Sequence, residues 1–402
     1  MDSAAARLAA LRGAAPPVNH DARTLAGLSA NPGCARRALL DACGADKGKI
    51  ARRAGHPWQF GMSPFALARG RDFERRLKDN GAALLLALLR QELELPLEEV
   101  AYVPLETVGD NTGRELRHRN TCRRLLAAAA GREPGTLFDH PLLRLQIGGV
   151  PVYLEPDLVA LKAAGRFHVV EIKSFPVIDG RADPEHAAAA VKQAAVYVVA
   201  LQEMFAEHGV DPDVVATSVV LVTPKNFGNT PTATQVDARK QIATIRRQLR
   251  RMRRVEELLE PLPPGLTFDL APDECGRPTR PPEELTAHLR QVPSRYRPGC
   301  IARCELAGLC RSEARERGSL DVFGPDVADV LGGIDTVEAA LALAEGTRAP
   351  TEEQADIARA LRHAERLRAE LAGEPARPSR PGTEPAGERA ERPPARSAGG
   401  AA

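Results

Sequence analysis

Aromatic residues are scarce in this sequence: they make up 4% of its 402 residues, and Trp occurs once. A core built from such a chain has to depend on Leu, Val and Ala. Long apolar segments are missing as well, since no uninterrupted run exceeds Ala82–Leu89, whereas a membrane-spanning helix needs about 20 apolar residues. Arg7 and Arg12 interrupt the Ala-rich N-terminus before the apolar core of a signal peptide can form. We therefore expect a cytoplasmic protein with no membrane partner.

The sequence has no large excess of positive or negative charge: it contains 55 basic and 53 acidic residues, and its formal net charge is +2. A basic surface, if present, has to be local. Residues 239–254 form such a cluster, with eight basic residues and no acidic one. A helix of this kind can follow a phosphate backbone with little sequence specificity, or it can be a solvated face balanced by nearby Glu residues. The candidate DNA contacts are Arg246, Arg247, Arg250, Arg251 and Arg254.

Local patterns predict an α/β chain with a mixed central sheet flanked by helices and a helical, cysteine-bearing extension at its C-terminal end. Three antiparallel strands are expected, separated by turns at Gly148-Gly149 and 162–166, namely Leu143–Ile147, Val150–Ala160 and Phe167–Lys173. A further strand is expected at Val214–Thr223. One helix is expected to begin at Ser63-Pro64 and to break at 79–81. Other helices are expected at 183–205, 236–260, 336–345 and 351–371.

The domain predictions follow from composition. Residues 373–402 contain no Val, Ile, Leu, Met or aromatic residue, so they are expected to be disordered. Residues 1–27 are small and polar and are expected to be loosely ordered. Between them we expect a main domain at 28–310 and a helical extension at 311–372.

Two carboxylates and a lysine form the most informative pattern, Glu155-Pro156-Asp157 followed by Glu171-Ile172-Lys173. Residues two apart in a strand share a face, so Glu171 and Lys173 project together. A symmetric hairpin centred on Ala164 places Asp157 opposite Glu171. Opposed carboxylates repel and need a cation, and oxygen ligands suit Mg²⁺ or Mn²⁺. The plain alternative is a solvent-facing sheet surface that carries a Glu–Lys pair.

Three further residues stand in order around this pattern. Glu74 lies upstream on a predicted helix, and Gln193 and Tyr197, four residues apart, share one face of the helix after the strand. That face can reach over the end of the sheet towards Lys173. His140 rivals Glu74 as the upstream residue, although a surface turn before Pro141 accounts for it more simply.

Three closely spaced cysteines, Cys300, Cys304 and Cys310, are the second signal. Their spacing beside Pro298-Gly299 does not fit a core stripe, and a four-thiolate site would need one more ligand from elsewhere. The remaining cysteines at 43, 122 and 275 are expected to be buried free thiols.

Taken together, Asp157, Glu171-Ile172-Lys173 and Gln193-Ala-Ala-Val-Tyr197 resemble the motifs of the PD-(D/E)xK nucleases. The resemblance is to the branch shared by the RecB nuclease domain and the CRISPR-associated adaptation nucleases, and it covers roughly residues 28–310. It implies a restriction-endonuclease-like fold in which Asp157 and Glu171 bind the catalytic metal, with Glu74 as a further ligand. It also implies that Lys173 assists the attacking water and that Gln193 and Tyr197 contact DNA or steady the site.

The resemblance implies a structural [4Fe-4S] cluster as well, because similar nucleases take one cysteine upstream of the first motif and three downstream. Cys34 precedes Glu74, so the implied ligands are Cys34, Cys300, Cys304 and Cys310. Three residues separate Cys300 from Cys304 where two are usual, which leaves zinc as the alternative at this site.

These features predict a Mg²⁺- or Mn²⁺-dependent DNA nuclease with low sequence specificity, acting on single-stranded or end-containing DNA in repair or in defence against foreign DNA. The alternative is a non-catalytic DNA-binding or scaffold subunit that acts through a partner such as a helicase. The sequence has no ATP-binding glycine loop of the P-loop type, so this chain alone is no helicase.

Overall fold

A computed structural model describes residues 4–18, 22–29, 31–58, 64–93, 101–105, 113–132, 136–163, 165–226, 228, 230–252 and 254–372. The chain divides between Glu313 and Ala314 into two compact units, close to the predicted boundary at residue 310. The tail predicted at 373–402 lies outside the described residues. The fold is mixed α/β, as the sequence predicts.

The first unit is built on a six-stranded mixed sheet with strand order β1-β2-β5-β6-β9-β10. The pairs β1–β2 and β6–β9 are parallel, and the remaining neighbours are antiparallel. Two short hairpins, β3–β4 and β7–β8, stand beside it. The strands are β1 Ala101–Pro104, β2 Thr136–Asp139, β3 Leu143–Ile147, β4 Val150–Leu154, β5 Leu158–Ala163, β6 Arg166–Ile172, β7 Val177–Ile178, β8 Arg181–Ala182, β9 Ser218–Pro224 and β10 Pro231–Asp237.

Helices cover the sheet and continue beyond it. Those that begin in the first unit are α1 Ala4–Arg12, α2 Ala22–Ser29, α3 Ala35–Ala42, α4 Lys47–Arg53, α5 Pro64–Glu92, α6 Arg114–Ala129, α7 Pro184–Glu207, α8 Arg239–Arg250, α9 Val255–Leu259, α10 Pro282–Arg290 and α11 Ala307–Glu316. The second unit contains α12 Pro325–Val330, α13 Val337–Glu345 and α14 Ala355–Ala372. Its small core includes Leu320, Ile334, Leu343 and Ala358.

The sheet has an apolar layer on each face, and alternation along β6 shows how they are separated. Phe167 and Val169 pack in one core cluster with residues of α7, α6 and α8. Val170 and Ile172 point the other way, into a cluster with Phe73, Leu77, Leu85 and Leu89 of α5. Side chains at the end of β6 are therefore buried whichever face they occupy.

Helix α7 is held against the first of these faces. The Asp183 side chain accepts a hydrogen bond from the His186 backbone N–H (2.9 Å), and Pro184 follows in the first turn, so the helix begins where the sequence predicts. Most of its residues from Ala190 onward are buried, and the rings of Phe205 and Phe167 lie 4.9 Å apart. This packing places the N-terminal half of α7 over the end of β6.

Helix α5 is interrupted where the sequence predicts a break. Asp79, Asn80, Gly81 and Ala82 leave helical geometry, and the last three have positive φ. The non-glycine residues among them are strained there. Both halves of α5 nevertheless pack against the same sheet face.

The predicted continuous strand Val150–Ala160 is wrong. It divides into β4 and β5, which belong to different sheets, and the chain changes direction at Glu155-Pro156-Asp157. Proline lacks a backbone N–H for a strand ladder, so Pro156 is a natural place for the break. The break matters because it leaves two carboxylates at the junction of the two sheets.

Two other expectations also need correction. Residues 1–27 are not simply loosely ordered: α1 and α2 form there, and Leu8, Leu11 and Leu25 are buried. These leucines are buried through packing partners distant in sequence, whereas Val18 stays exposed. The helix predicted at 236–260 is two helices, α8 and α9, and is preceded by β10, whose pairing with β9 overrides helical propensity.

Within the part of the chain that the structure describes, no helix is both long and apolar enough to cross a membrane.

Candidate active site

The hairpin of β5 and β6 brings the first carboxylate pair together. Leu158 pairs with Val170 and Ala160 with His168, so the position before Leu158 stands opposite the position after Val170. The predicted register of Asp157 and Glu171 is thus confirmed. The Asp157 carboxylate also accepts a hydrogen bond from the Ile172 backbone N–H at 2.7 Å, which fixes it beside the end of β6.

Glu171 is fully buried, so the alternative of a solvent-facing Glu–Lys pair is wrong. One carboxylate oxygen, Oε1, is ion-paired with the Lys173 amine. The other, Oε2, has no hydrogen-bond partner among the described residues. Burial, and then the neighbouring charge of Asp157, raise the pKa of Glu171 to about 8, against the opposing effect of Lys173.

Asp157 has a similar environment. Burial raises the pKa of its carboxyl, while the charge of Lys173 and the Ile172 N–H act in the opposite direction. Two acids that face each other across a hairpin, one of them fully buried, cannot both ionise without a cation nearby. Lys173 supplies one positive charge, and an oxygen of Glu171 remains available for another.

Glu74 lies near this pair but makes its own contacts. Its carboxylate accepts a hydrogen bond from Lys78, one helical turn on, at 2.5 Å, and Lys78 also reaches Asp139 at 2.7 Å. The negative charge of Glu74 acts on both Asp157 and Glu171. Sequence reasoning did not identify Lys78 or Asp139; the spacing of four residues between Glu74 and Lys78 was the available signal.

His140 is not the plain surface turn that its sequence context favours. Its Nε2 lies 3.3 Å from a Glu74 oxygen and its Nδ1 lies 3.4 Å from a Glu155 oxygen. Burial lowers the pKa of His140, but the hydrogen bond to Glu74 and the charge of Asp139 outweigh it, so the pKa is raised. The same hydrogen bond lowers the pKa of Glu74 to about 2 despite its burial.

The backbone of His140 has φ 48°, a conformation that side chains with a Cβ seldom adopt. Its N–H donates to the Asp157 carbonyl at 3.3 Å. Sequence reasoning did not identify Arg117. Its guanidinium donates hydrogen bonds to the carbonyl of His140 at 2.7 Å and to both carboxylate oxygens of Glu155 at 2.6 and 3.1 Å. The strained residue is therefore held from several sides, as is common near functional sites.

Gln193 and Tyr197 lie together on α7, where the Gln193 amide donates to the Tyr197 hydroxyl at 3.3 Å. Tyr197 is buried in the core cluster that fills this face of the sheet. By strand alternation, Asp157 and Glu171 project from that same face. Gln193 and Tyr197 therefore lie on the same side of the sheet as the two carboxylates.

The four cysteines implied as cluster ligands come from distant segments to one region. Asn31, three residues before Cys34, places its amide Nδ2 3.6 Å from the sulfur of Cys300, and Arg36 places Nη1 3.5 Å from the sulfur of Cys310. Burial raises the pKa of Cys310 to about 11, and the charge of Cys34 acts in the same direction. Burial likewise raises the pKa of Cys304 to about 12, with a smaller contribution from Cys310.

The other three cysteines are free thiols, as expected, but only Cys43 and Cys122 are buried. Cys275 is exposed in the loop between α9 and α10. Leu266 and Phe268 of the same loop are buried, so exposure is confined to part of it.

The basic residues of 239–254 do not form one continuous helical stripe. Arg251 and Arg254 follow the end of α8, and the half-buried Arg246 donates to the Gln202 side chain at 2.6 Å. Arg247, Arg250, Arg251 and Arg254 are not buried.

Among the described residues, no three His, Cys, Asp or Glu side chains are arranged to hold a metal ion. The donors nevertheless suit the expected groups. Asp157 and the available Glu171 oxygen are hard ligands of the kind that Mg²⁺ or Mn²⁺ takes. The four thiols, two of them beside cationic or amide donors, suit a thiolate-bound centre.

Comparison with known proteins adds little to this geometry. No protein-family model matches the sequence, and no curated protein matches it. One similar solved structure carries the description "Crystal structure of SSO0001"; it is 14% identical, and the match covers 42% of this chain and 85% of that one with a TM-score of 0.18. A likeness at that score supports no argument about fold or function.

Proposed function

We propose that the chain is a divalent-metal-dependent nuclease whose site is formed by Asp157, Glu171 and Lys173. The observation that carries the proposal is the fully buried Glu171 carboxylate opposite Asp157: one Glu171 oxygen binds the lysine amine, and the other has no hydrogen-bond partner in the described part of the chain. A buried acidic oxygen without a partner is costly, and a cation would offset that cost.

Each residue has a distinct task in this proposal. Asp157 and Glu171 would hold Mg²⁺ or Mn²⁺, which when bound supplies Lewis-acid chemistry to a phosphodiester. The Lys173 amine, fixed by its ion pair, would orient the attacking water and offset the negative charge that develops on the phosphate. Glu74, already engaged with Lys78 and His140, would complete the ligand set or set the charge around it.

Substrate binding would come from residues around the pair. Gln193 and Tyr197 lie on the helix over this sheet face, and the accessible arginines of 239–254 offer contacts for phosphates. Contacts of this kind carry little sequence information. We therefore propose that the substrate is DNA and that it is cut with low sequence specificity. We also propose that the chain acts in repair or in defence against foreign DNA, with a helicase or a defence-system protein as a partner.

Replacing Lys173 by Ala tests the proposal directly. Cleavage of DNA with Mg²⁺ or Mn²⁺ is expected to fall by about 100-fold, the cost of removing one group that stabilises developing charge. Lys192→Ala is the matched control, since Lys192 lies on α7 and makes no ion pair with the carboxylates among the described residues. Equal cleavage by wild type and Lys173→Ala would refute the assignment. Binding without cleavage by the wild type, with either metal, would favour the scaffold alternative.

We further propose that Cys34, Cys300, Cys304 and Cys310 hold a [4Fe-4S] cluster with a structural role, zinc being the alternative. Such a centre would tie the start of α3 to the segment before α11 and to the first turn of α11, and the free energy of ligation would add to that of folding.

Removing one of these thiols is expected to lower both metal content and stability. Cys34→Ser, purified without oxygen, should lose most of its iron and its visible absorption and should melt at a lower temperature. Cys275→Ser is the control, because Cys275 is exposed and lies outside the group. An iron content unchanged by Cys34→Ser would contradict the ligand set, and zinc in place of iron would identify the alternative.

A further inference from the structure

A cavity of about 510 Å³ lies between α6, the start of β3 and the C-terminal end of α7. It shares no lining residue with the carboxylate site. Its lining includes four arginines and one carboxylate, namely Arg119, Arg123, Arg132, Arg144 and Glu115. The volume is within the range of small-molecule sites, and the charge is unusually one-sided.

The positive charge in this cavity is poorly compensated. Arg119, Arg123 and Arg132 are exposed and make no ion pair with any residue that the structure describes. Arg144 lies 3.7 Å from Glu115 and 3.8 Å from Glu207, so both of its ion pairs are long. Glu115 is the only carboxylate of the lining, and it also accepts a hydrogen bond from the Tyr153 hydroxyl. Converging guanidinium groups repel each other, and a bound anion would relieve that repulsion.

Away from the arginines and Glu115 the lining, here called the floor of the cavity, is mainly apolar. It includes Leu126, Ala127 and the buried Cys122, and burial raises the pKa of the Cys122 thiol to about 11, so the thiol is neutral. His118 also lines the floor, with its Nδ1 2.8 Å from the Leu142 carbonyl oxygen, which fixes the ring. An apolar floor beneath a cationic rim fits a ligand that has a phosphate at one end and a flat, weakly polar group at the other.

Two exposed carboxylates on α7 lie between the arginines of the cavity and those of α8. Glu207 lies beside Arg144, and Glu203, one turn earlier on α7, is within electrostatic range of Arg246 and Arg250. Guanidinium groups therefore flank the C-terminal half of α7 on two sides. A free nucleotide would need only the cavity, whereas an extended chain of phosphates would use both.

We propose that this cavity binds a phosphate and its nucleoside within a nucleic-acid strand, at a place separate from the carboxylates. The proposal rests on the proposed function for the identity of the ligand. Arg119 and Arg123, four residues apart on one face of α6, would bind the phosphate, since guanidinium groups match phosphate oxygens in geometry. The nucleoside would lie on the floor formed by Leu126 and Ala127.

The test measures binding in EDTA, so that cleavage plays no part. A fluorescently labelled short single strand is titrated with wild type, with Arg119→Gln/Arg123→Gln, and with Arg362→Gln/Arg366→Gln. The last is a matched control with two exposed arginines four residues apart on α14. The cavity variant should bind about tenfold more weakly, and the control should match wild type. The slope of log K against log salt should become shallower by about 1.4, for two lost contacts at about 0.7 each.

Unchanged strand affinity in the cavity variant overturns the proposal. A parallel calorimetric titration with AMP separates the two sources of the phosphate: if the variant loses AMP binding but keeps its affinity for the strand, the strand is excluded as the ligand. Binding and cleavage are measured separately, so a failure of strand binding at the cavity can be told from a failure of nuclease activity. A chain that binds the strand through Arg119 and Arg123 but never cleaves supports this inference and refutes the nuclease.

Discussion

Replacing Glu171 by Gln is expected to abolish most cleavage and, at the same time, to stabilise the metal-free protein. The side chain is fully buried beside Asp157, and one of its oxygens has no hydrogen-bond partner in the described part of the chain. An uncharged amide of the same shape removes the repulsion between the two acids. The raised pKa of Glu171 means that this buried acid lowers the stability of the fold, at about 1.4 kcal/mol for each pKa unit, and Gln removes that cost. The loss of the ion pair with Lys173 offsets part of the gain. We therefore expect the free energy of unfolding to rise by about 1–2 kcal/mol.

The loss of activity should be much larger than the gain in stability. A metal ligand contributes several kcal/mol of transition-state stabilisation, and each 1.4 kcal/mol is about tenfold in rate, so cleavage should fall by about 10³-fold. The measurements are a melting curve in EDTA and a cleavage assay with Mg²⁺. Glu185→Gln, an exposed position on α7, should change neither. A variant that is less stable than wild type would show that Glu171 serves the fold, and unchanged cleavage would rule out its role as a ligand.

The second large effect is expected at Arg36, on α3. Its guanidinium is buried and donates hydrogen bonds to Glu313 at 2.8 Å and to the Val292 carbonyl at 3.1 Å, while Nη1 lies 3.5 Å from the sulfur of Cys310. Arg36→Met would leave a buried carboxylate without its main cation. We expect a loss of about 3–5 kcal/mol in unfolding free energy, measured by urea denaturation at equal iron content.

Two comparison variants separate this buried pair from charge loss in general. Arg239→Met removes an exposed partner of Asp237 and should leave the urea midpoint almost unchanged, because solvent screens this pair. Arg36→Met/Glu313→Leu removes both charges and should recover much of the lost stability, because apolar groups often replace a buried pair at little cost. A single variant that unfolds like wild type would mean that solvent or another cation already balances Glu313.

The parts of the fold that depend on local signals could be predicted from the sequence. Asp183-Pro184 defines the start of α7, and the break in α5 follows from Asp79-Asn80-Gly81. The register of β5 and β6 also depends on a short turn, which is why the opposition of Asp157 and Glu171 follows from their spacing about that turn.

The rest depends on contacts between distant segments. Strands β1 and β2 are four residues each, too short for a clear alternation, and they exist because they pair with each other and with β5. The pairing of β2 with β5 in turn brings Asp139 and His140 to the carboxylate site. The contacts of Lys78 with Asp139 and of Arg117 with Glu155 were missed for the same reason, since they join different elements.

The β5–β6 hairpin limits how its turn can change over evolution. A bulge between Leu161 and Ala163 already takes up an irregular residue there, and the strands keep their register beyond it. Adding one residue within either strand, between this bulge and the acid, would rotate that acid to the opposite sheet surface, whereas adding two would restore its orientation. Insertions in related chains that keep the chemistry should therefore be even in number or be accompanied by a second bulge.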